Sequence, residues 1–131
     1  MKLRVAIASV IALLLVVAYA RAQQFGNQPT KLDIVKVKDD LFVIRNAFVP
    51  GNTTALLTNE GVVLVDDKFE QDAPNILSLL KTVTNQPVKY VVNTHHHGDH
   101  SGGNARMQMV GAQLIASEQA RRYMADAKQP G

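Results

Sequence analysis

Asn93-Thr94-His95-His96-His97-Gly98-Asp99-His100-Ser101-Gly102-Gly103-Asn104 holds every histidine of the 131-residue chain, all four within six consecutive positions, with an aspartate among them. Imidazole nitrogen and carboxylate oxygen are donors for a borderline cation such as zinc. If the chain leaves a strand here still extended, His95, His97 and Asp99 point to one side at period two. His100 then needs the backbone to turn, which Gly98 and the small residues after it allow. Donors pointing in two directions can serve two neighbouring metals. A helix presenting His96 and His100 at i, i+4 would suit an H-E-x-x-H metalloprotease. The glutamate is missing, however, Gly98 interrupts the turn, and an apolar β-run comes just before. A purification tag would be terminal and uninterrupted, and a chance surface cluster would not be framed by a strand and Gly102-Gly103.

Working upstream, 88–92 (Val-Lys-Tyr-Val-Val) reads as a strand ending in Asn93-Thr94. Before it, Ile76, Leu77, Leu80 and Val83 fall at i, i+1, i+4 and i+7, the apolar face of a helix. Asp72 can cap that helix, Pro74 suits its first turn, and Asn85-Gln86-Pro87 ends it. Short β-type runs precede it at 33–37, 41–45, 54–58 and 61–66, separated by Asp39-Asp40, Pro50-Gly51-Asn52 and Asn59-Glu60-Gly61. The continuous apolar run 61–66 reads as a strand buried on both faces. Downstream, 105–110 reads as a short helix, 112–116 as a strand, and 117–128 as a helix with Ser117 at its N-cap. Antiparallel-type strands followed by β-α-β-loop-α-β-α make a mixed α/β layered sheet.

The N-terminus is of a different kind. Lys2 and Arg4 precede an apolar run from Val5 to Ala20, and Ala20-Arg21-Ala22 offers a small-residue cleavage site before Gln23. Ala18-Tyr19-Ala20 offers a second. The run is short for a membrane span of ~20 apolar residues, so 1–22 is expected to be a cleaved signal peptide, leaving no stable membrane anchor, and 23–131 the domain. Cleavage removes Lys2, Arg4 and Arg21 and no acid, taking fourteen basic residues to eleven against eleven acidic ones. The pI of about 9.3 is thus a targeting feature and gives no argument for a nucleic-acid partner. The chain has no cysteine, so neither a lipobox nor a disulfide is expected outside the cytoplasm. Aliphatic residues are plentiful and aromatics sparse, giving a modest core for one small domain.

Thr94-His95-x-His97-x-Asp99-His100-x-Gly102-Gly103-Asn104 resembles the T-H-x-H-x-D-H-x-G-G-N signature of the metallo-β-lactamase superfamily. The approach is similar too: an apolar strand ending in Asp66, an amphipathic helix, then a strand ending at Asn93-Thr94. The resemblance runs from about Leu32 to Ala127. It implies an αβ/βα sandwich of which only the N-terminal half is present. It also implies a zinc-dependent hydrolase in which metal-activated water attacks an ester, amide, lactam or thioester. His95 and His97 would be two of the three imidazole ligands of the first zinc. Asp99 and His100 would ligate the second, and Asp99 would also act catalytically by orienting the water. Asp66 would be the acid behind the ligands, holding the metal loop through hydrogen bonds. Lys68 stands where the family usually has glycine. His96 and Gly98 fall at variable positions, and His96 is placed at the lip of the pocket.

His100 separates this chain from β-lactamases with Arg, Lys or Ser there. It fits another β-lactamase subclass, glyoxalase-like thioesterases and other relatives equally. Together with the signal it implies a secreted or periplasmic enzyme with up to two Zn²⁺ ions and a small-molecule substrate. The family's later segment supplies a third histidine, a bridging aspartate and a last histidine. After His100 this chain has no histidine, and Glu118 and Asp126 are its only acids. The chain is therefore read as partial. The alternative is a non-catalytic half-domain with at most weak zinc binding.

Overall fold

The computed structural model describes residues 11–19 and 29–126. Residues 11–19, inside the apolar run near the N-terminus, are helical, and no helix of the described residues is long and apolar enough to cross a membrane. Residues 1–10, 20–28 and 127–131 lie outside the described residues, and with them most of the segment expected to be a cleaved signal peptide.

Six strands form one sheet in the order β1-β2-β3-β4-β5-β6. They are β1 (Asp33–Lys36), β2 (Leu41–Arg45), β3 (Thr53–Thr58), β4 (Gly61–Val65), β5 (Val88–Asn93) and β6 (Gln113–Ala116). The first four pair antiparallel through short turns, and β4, β5 and β6 pair parallel. A parallel neighbour needs a crossover. A 3₁₀ turn (Glu70–Asp72) and α1 (Ala73–Leu80) make the first; the histidine segment, with α2 (Gly98–Ser101) and α3 (Asn104–Met109), makes the second. The helix α4 (Glu118–Ala125) follows β6.

Alternation along the strands sends Phe42, Ile44, Ala55, Val62, Leu64 and Val91 to one face, where they are buried with Ile76, Leu80 and Met107 of the helices. Fully burying a Val, Leu or Ile side chain is worth roughly 1.5–3 kcal/mol, so this single layer of helix on sheet holds the fold. The other face carries two rows of directly paired residues: Val43, Thr54, Val65, Val92 and Ile115, and Leu41, Leu56, Val63, Tyr90 and Gln113. These positions are half-buried or exposed. The expectation that 61–66 is buried on both faces therefore needs correction. In β4, Val62 and Leu64 are fully buried while Val63 and Val65 are only half-buried. An uninterrupted apolar run shows that neither face is meant for water, not that both are covered.

Two helix ends also differ from the expectation. Asp72 precedes α1 but makes no capping bond; its Oδ1 accepts from Thr30 N at 2.8 Å and Thr30 Oγ1 at 2.5 Å. The helix stops at Leu80 and continues only as turns, with Thr82, Val83 and Thr84 N bonding back to Leu79 and Leu80 carbonyls. Ser117 is the N-cap of α4 as expected, its Oγ accepting from Ala120 N at 3.2 Å. Ser117→Ala should cost about 1 kcal/mol, read as a lower urea midpoint at constant slope; an unmoved midpoint would show the cap to be idle.

Candidate metal centre

Parallel pairing of β4 with β5 brings their carboxyl ends side by side, the edge at which open α/β sheets hold ligands. Val65 lies opposite Val92, and Asp66 N donates to Val92 O at 3.0 Å, so Asp66 leaves its strand facing Thr94. Asp66 has φ 61° and Lys68 φ 58°. The left-handed region is tolerated by Asp but is where Lys is rare, which accounts physically for a glycine preference at position 68.

Asp66 is nearly fully buried and accepts three hydrogen bonds. Its Oδ1 takes Thr94 N at 2.7 Å; its Oδ2 takes Thr94 Oγ1 at 2.8 Å and His100 Nδ1 at 2.7 Å. A carboxylate only accepts, so His100 Nδ1 carries a proton, and in the neutral ring the lone pair lies on Nε2. The same logic extends one bond further. Thr94 Oγ1 stands 2.9 Å from His95 Nδ1, and its single proton is given to Asp66. His95 Nδ1 must then donate to the hydroxyl, and His95 Nε2 too is free to bind a metal. One buried carboxylate sets the tautomers of two imidazoles.

The four candidate ligands come together. The His95 ring centroid is 4.0 Å from that of His100 and 4.8 Å from that of His97. Asp99 Oδ2 stands 3.3 Å from His100 Nε2. Two donors each 2.0–2.1 Å from one tetrahedral zinc stand ~3.3 Å apart, so this pair has the spacing of two ligands of one ion. The route to it differs from the extended path read from the sequence. The strand ends at Asn93, the chain bends through 94–97 and, after His97 (φ −65°, ψ 148°), turns helical at Gly98, so Asp99 and His100 both sit on α2. The extended path expected from the sequence therefore stops before the histidines, and it is the bend and α2 that gather them. Among the described residues, no group of three or more His, Cys, Asp or Glu stands so that it could hold an ion as placed. The donors fit zinc in type and, for Asp99 and His100, in spacing, yet they fall short of the three protein ligands of a catalytic site.

His96 stands between this group and a neighbouring pocket, its ring centroid 4.6 Å from that of His97. Its ring lies 4.7 Å from the Tyr123 ring at 30°, and with Ser101, Asn104 and Tyr123 it lines a cavity of about 290 Å³.

Beneath the histidine segment lie residues that sequence reasoning did not single out. Asp67 is fully buried. Its N–H donates to His100 O at 2.9 Å and its Oδ1 accepts from Gly103 N at 2.9 Å, while its buried Oδ2 has no partner. Burial pushes its pKa up from 3.8 to about 7, against the Gly103 hydrogen bond and aided by the Asp66 charge. Gly103 is needed for this approach, since a Cβ there would come within 2.6 Å of Asp67 O. The signal for Asp67 was its place after Asp66 at the end of a buried strand, which reads equally well as a turn.

Comparison with known proteins bears on the family and the fold. The sequence pattern of the metallo-beta-lactamase superfamily matches residues 46–112. The metallo-beta-lactamase type 2 of Elizabethkingia meningoseptica is 26% identical over 126 residues, covering 91% of this chain and 51% of that protein. The chain thus spans about half the length of the curated relative it matches. Among solved structures, the metallo-beta-lactamase from Pontibacter korlensis superposes with a TM-score of 0.67 at 28% identity, over 76% of this chain and 50% of that one. The metallo-beta-lactamase from Hirschia baltica shares the fold, with a TM-score of 0.66 at 20% identity over 77% of this chain and 50% of that one. The six-stranded sheet with helices on one face is therefore one half of an αβ/βα sandwich. Its superfamily match covers just over half of the 131 residues, and the chain belongs to the metallo-beta-lactamase superfamily of metal-dependent hydrolases.

Proposed function

We propose that this chain supplies one side of the two-zinc centre of a hydrolase that works outside the cytoplasm. His95 and His97 would hold the first ion, and Asp99 and His100 the second. The observation that carries this reading is the Asp66–Thr94–His95/His100 chain of hydrogen bonds, which in the neutral rings puts the lone pair on both Nε2 atoms, pointing away from their supports. An imidazole held at one nitrogen by a carboxylate or hydroxyl is the usual state of a metal-bound histidine. A zinc ion bound there lowers the pKa of its water toward neutrality and so supplies the nucleophile. Asp99 would orient the nucleophile toward the carbonyl of an ester, amide, lactam or thioester. The remaining ligands would come from the half of the relatives' length that this chain does not span. The open rows of the sheet would pack against the same part. Residues 1–22 act as a cleaved leader and 23–131 as the domain, which places the substrate, a small molecule, in the periplasm or outside the cell.

One observation favours a second reading. Two donors per ion are too few for a catalytic site, and no three are assembled among the described residues. A half-domain with weak zinc binding fits that fact. Zinc content after gel filtration decides between the two. Under the first reading the chain joined to the half of the relatives' length it does not span retains zinc, a chelator removes it, and His95→Ala/His97→Ala lowers the content. Under the second, the joined protein holds no more zinc than the chain alone. Equal zinc in the double variant and the parent would refute the ligand assignment.

A further inference from the structure

Lys68 is a fully buried lysine at φ 58°, two residues after Asp66 and hydrogen-bonded through its backbone to Gly103. Its ammonium donates to Pro50 O at 2.9 Å and Gly51 O at 2.5 Å. Burial lowers its pKa, while the carboxylates of Asp72 and Asp99 pull it back up. A buried charge on left-handed backbone is costly twice over, so what it holds must offset that cost.

The loop it grips is pressed directly onto the metal segment. Gly51 has φ +80°, and a Cβ there would lie 2.1 Å from the Asp99 carbonyl oxygen. On its other side, Lys68 O accepts from Gly103 N at 3.0 Å, and the adjacent Asp67 N donates to His100 O at 2.9 Å. The turn carrying Asp99 and His100 is thus held between the 50–51 loop and the 67–68 backbone, and the Lys68 side chain ties these two walls together. A lysine suits the task, being a compact point charge that can donate to two carbonyls at once. Glycine at this position would relieve the backbone but would leave the loop untied.

We propose that Lys68 is a positioning residue that clamps the 50–51 loop and the Asp99–His100 turn into one unit, fixing the direction in which Asp99 and His100 present their donors. This rests on the reading of Asp99 and His100 as metal ligands. The test compares the full chain with Lys68→Met, which keeps the length and removes the charge. Zinc affinity is read by competition with a chromophoric chelator. Cobalt(II) in place of zinc reports ligand geometry through its visible absorption, and amide hydrogen exchange reports the loop.

The expected result is zinc binding weaker by about tenfold, the scale of lost outer support. An altered cobalt spectrum at saturation and faster exchange at residues 51–52 and 99–101 should accompany it. A lowered melting temperature with unchanged zinc affinity and cobalt bands would make Lys68 merely structural and overturn the clamp. If the parent chain binds neither metal, the zinc reading fails, and exchange alone decides Lys68: faster exchange at 99–101 upholds the clamp and unchanged exchange overturns it. Should Lys68→Met fail to fold, Lys68→Gln, which keeps a donor for one of the two carbonyls, replaces it with the same two outcomes.

Discussion

Asp66→Asn should leave the fold standing and cost the chain most of its metal. The change is isosteric, and Asn tolerates the left-handed backbone at φ 61° as well as Asp does. Thr94 N still needs an acceptor, so the amide oxygen takes the place of Oδ1 and the NH₂ faces Thr94 Oγ1 and His100 Nδ1. An NH₂ donates where the carboxylate accepted. His100 Nδ1 must then become the acceptor, which moves its proton to Nε2. The Thr94 hydroxyl, no longer donating to residue 66, is free to donate to His95 Nδ1, and His95 takes the same wrong tautomer. Both Nε2 lone pairs are lost together. Zinc affinity should fall 10- to 100-fold, as for other supports behind metal ligands, while thermal stability changes little. Nitrogen NMR of the metal-free chain should show Nδ1–H imidazoles in the parent and Nε2–H in the variant. Zinc affinity within twofold of the parent would show that Asp66 does not govern the site.

The second large effect is on stability against pH, and Asp67 carries it. Its folded pKa of about 7 exceeds the ordinary 3.8 because burial penalises the charged form. Between those values the folded chain holds a proton that the unfolded chain has lost. The stabilising contribution is therefore complete below about pH 4 and is lost as the pH rises through about 7. A rise from 3.8 to about 7 corresponds to on the order of 4 kcal/mol, large against the 5–15 kcal/mol of a typical domain. Asp67→Asn removes this dependence. Its oxygen can still accept from Gly103 N, while its NH₂ takes the place of an Oδ2 that has no partner, a fixed cost at every pH. In urea titrations of the metal-free chains, the variant should be the less stable at pH 4 and gain on the parent steadily toward pH 8. Parallel stability curves would place the proton elsewhere.

The order and type of nearly every element were legible in the sequence, because each rests on local periodicity. Strands β2 to β5, the amphipathic α1 and the Ser117 cap follow from alternation, a 3.6-residue repeat and a side-chain oxygen three residues before its donor. The donor set was legible for a similar reason: His95, His97, Asp99 and His100 are neighbours in the chain, and their chemistry does not depend on distant partners. The superfamily also followed from that one segment and its frame.

Tertiary structure decided what depends on residues far apart in the chain. The sequence could not say that β4 is covered on one face only, since an apolar run looks the same with or without a partner layer. It could not give the tautomers of His95 and His100, because these depend on Asp66 arriving from another strand. Nor could it show that Asp67 is buried without a partner for one oxygen, or that Lys68 reaches back to Pro50 and Gly51. Local pattern reports what a residue can do; parallel pairing of two strand ends, closed over a long crossover, decides which groups meet and which proton each one keeps.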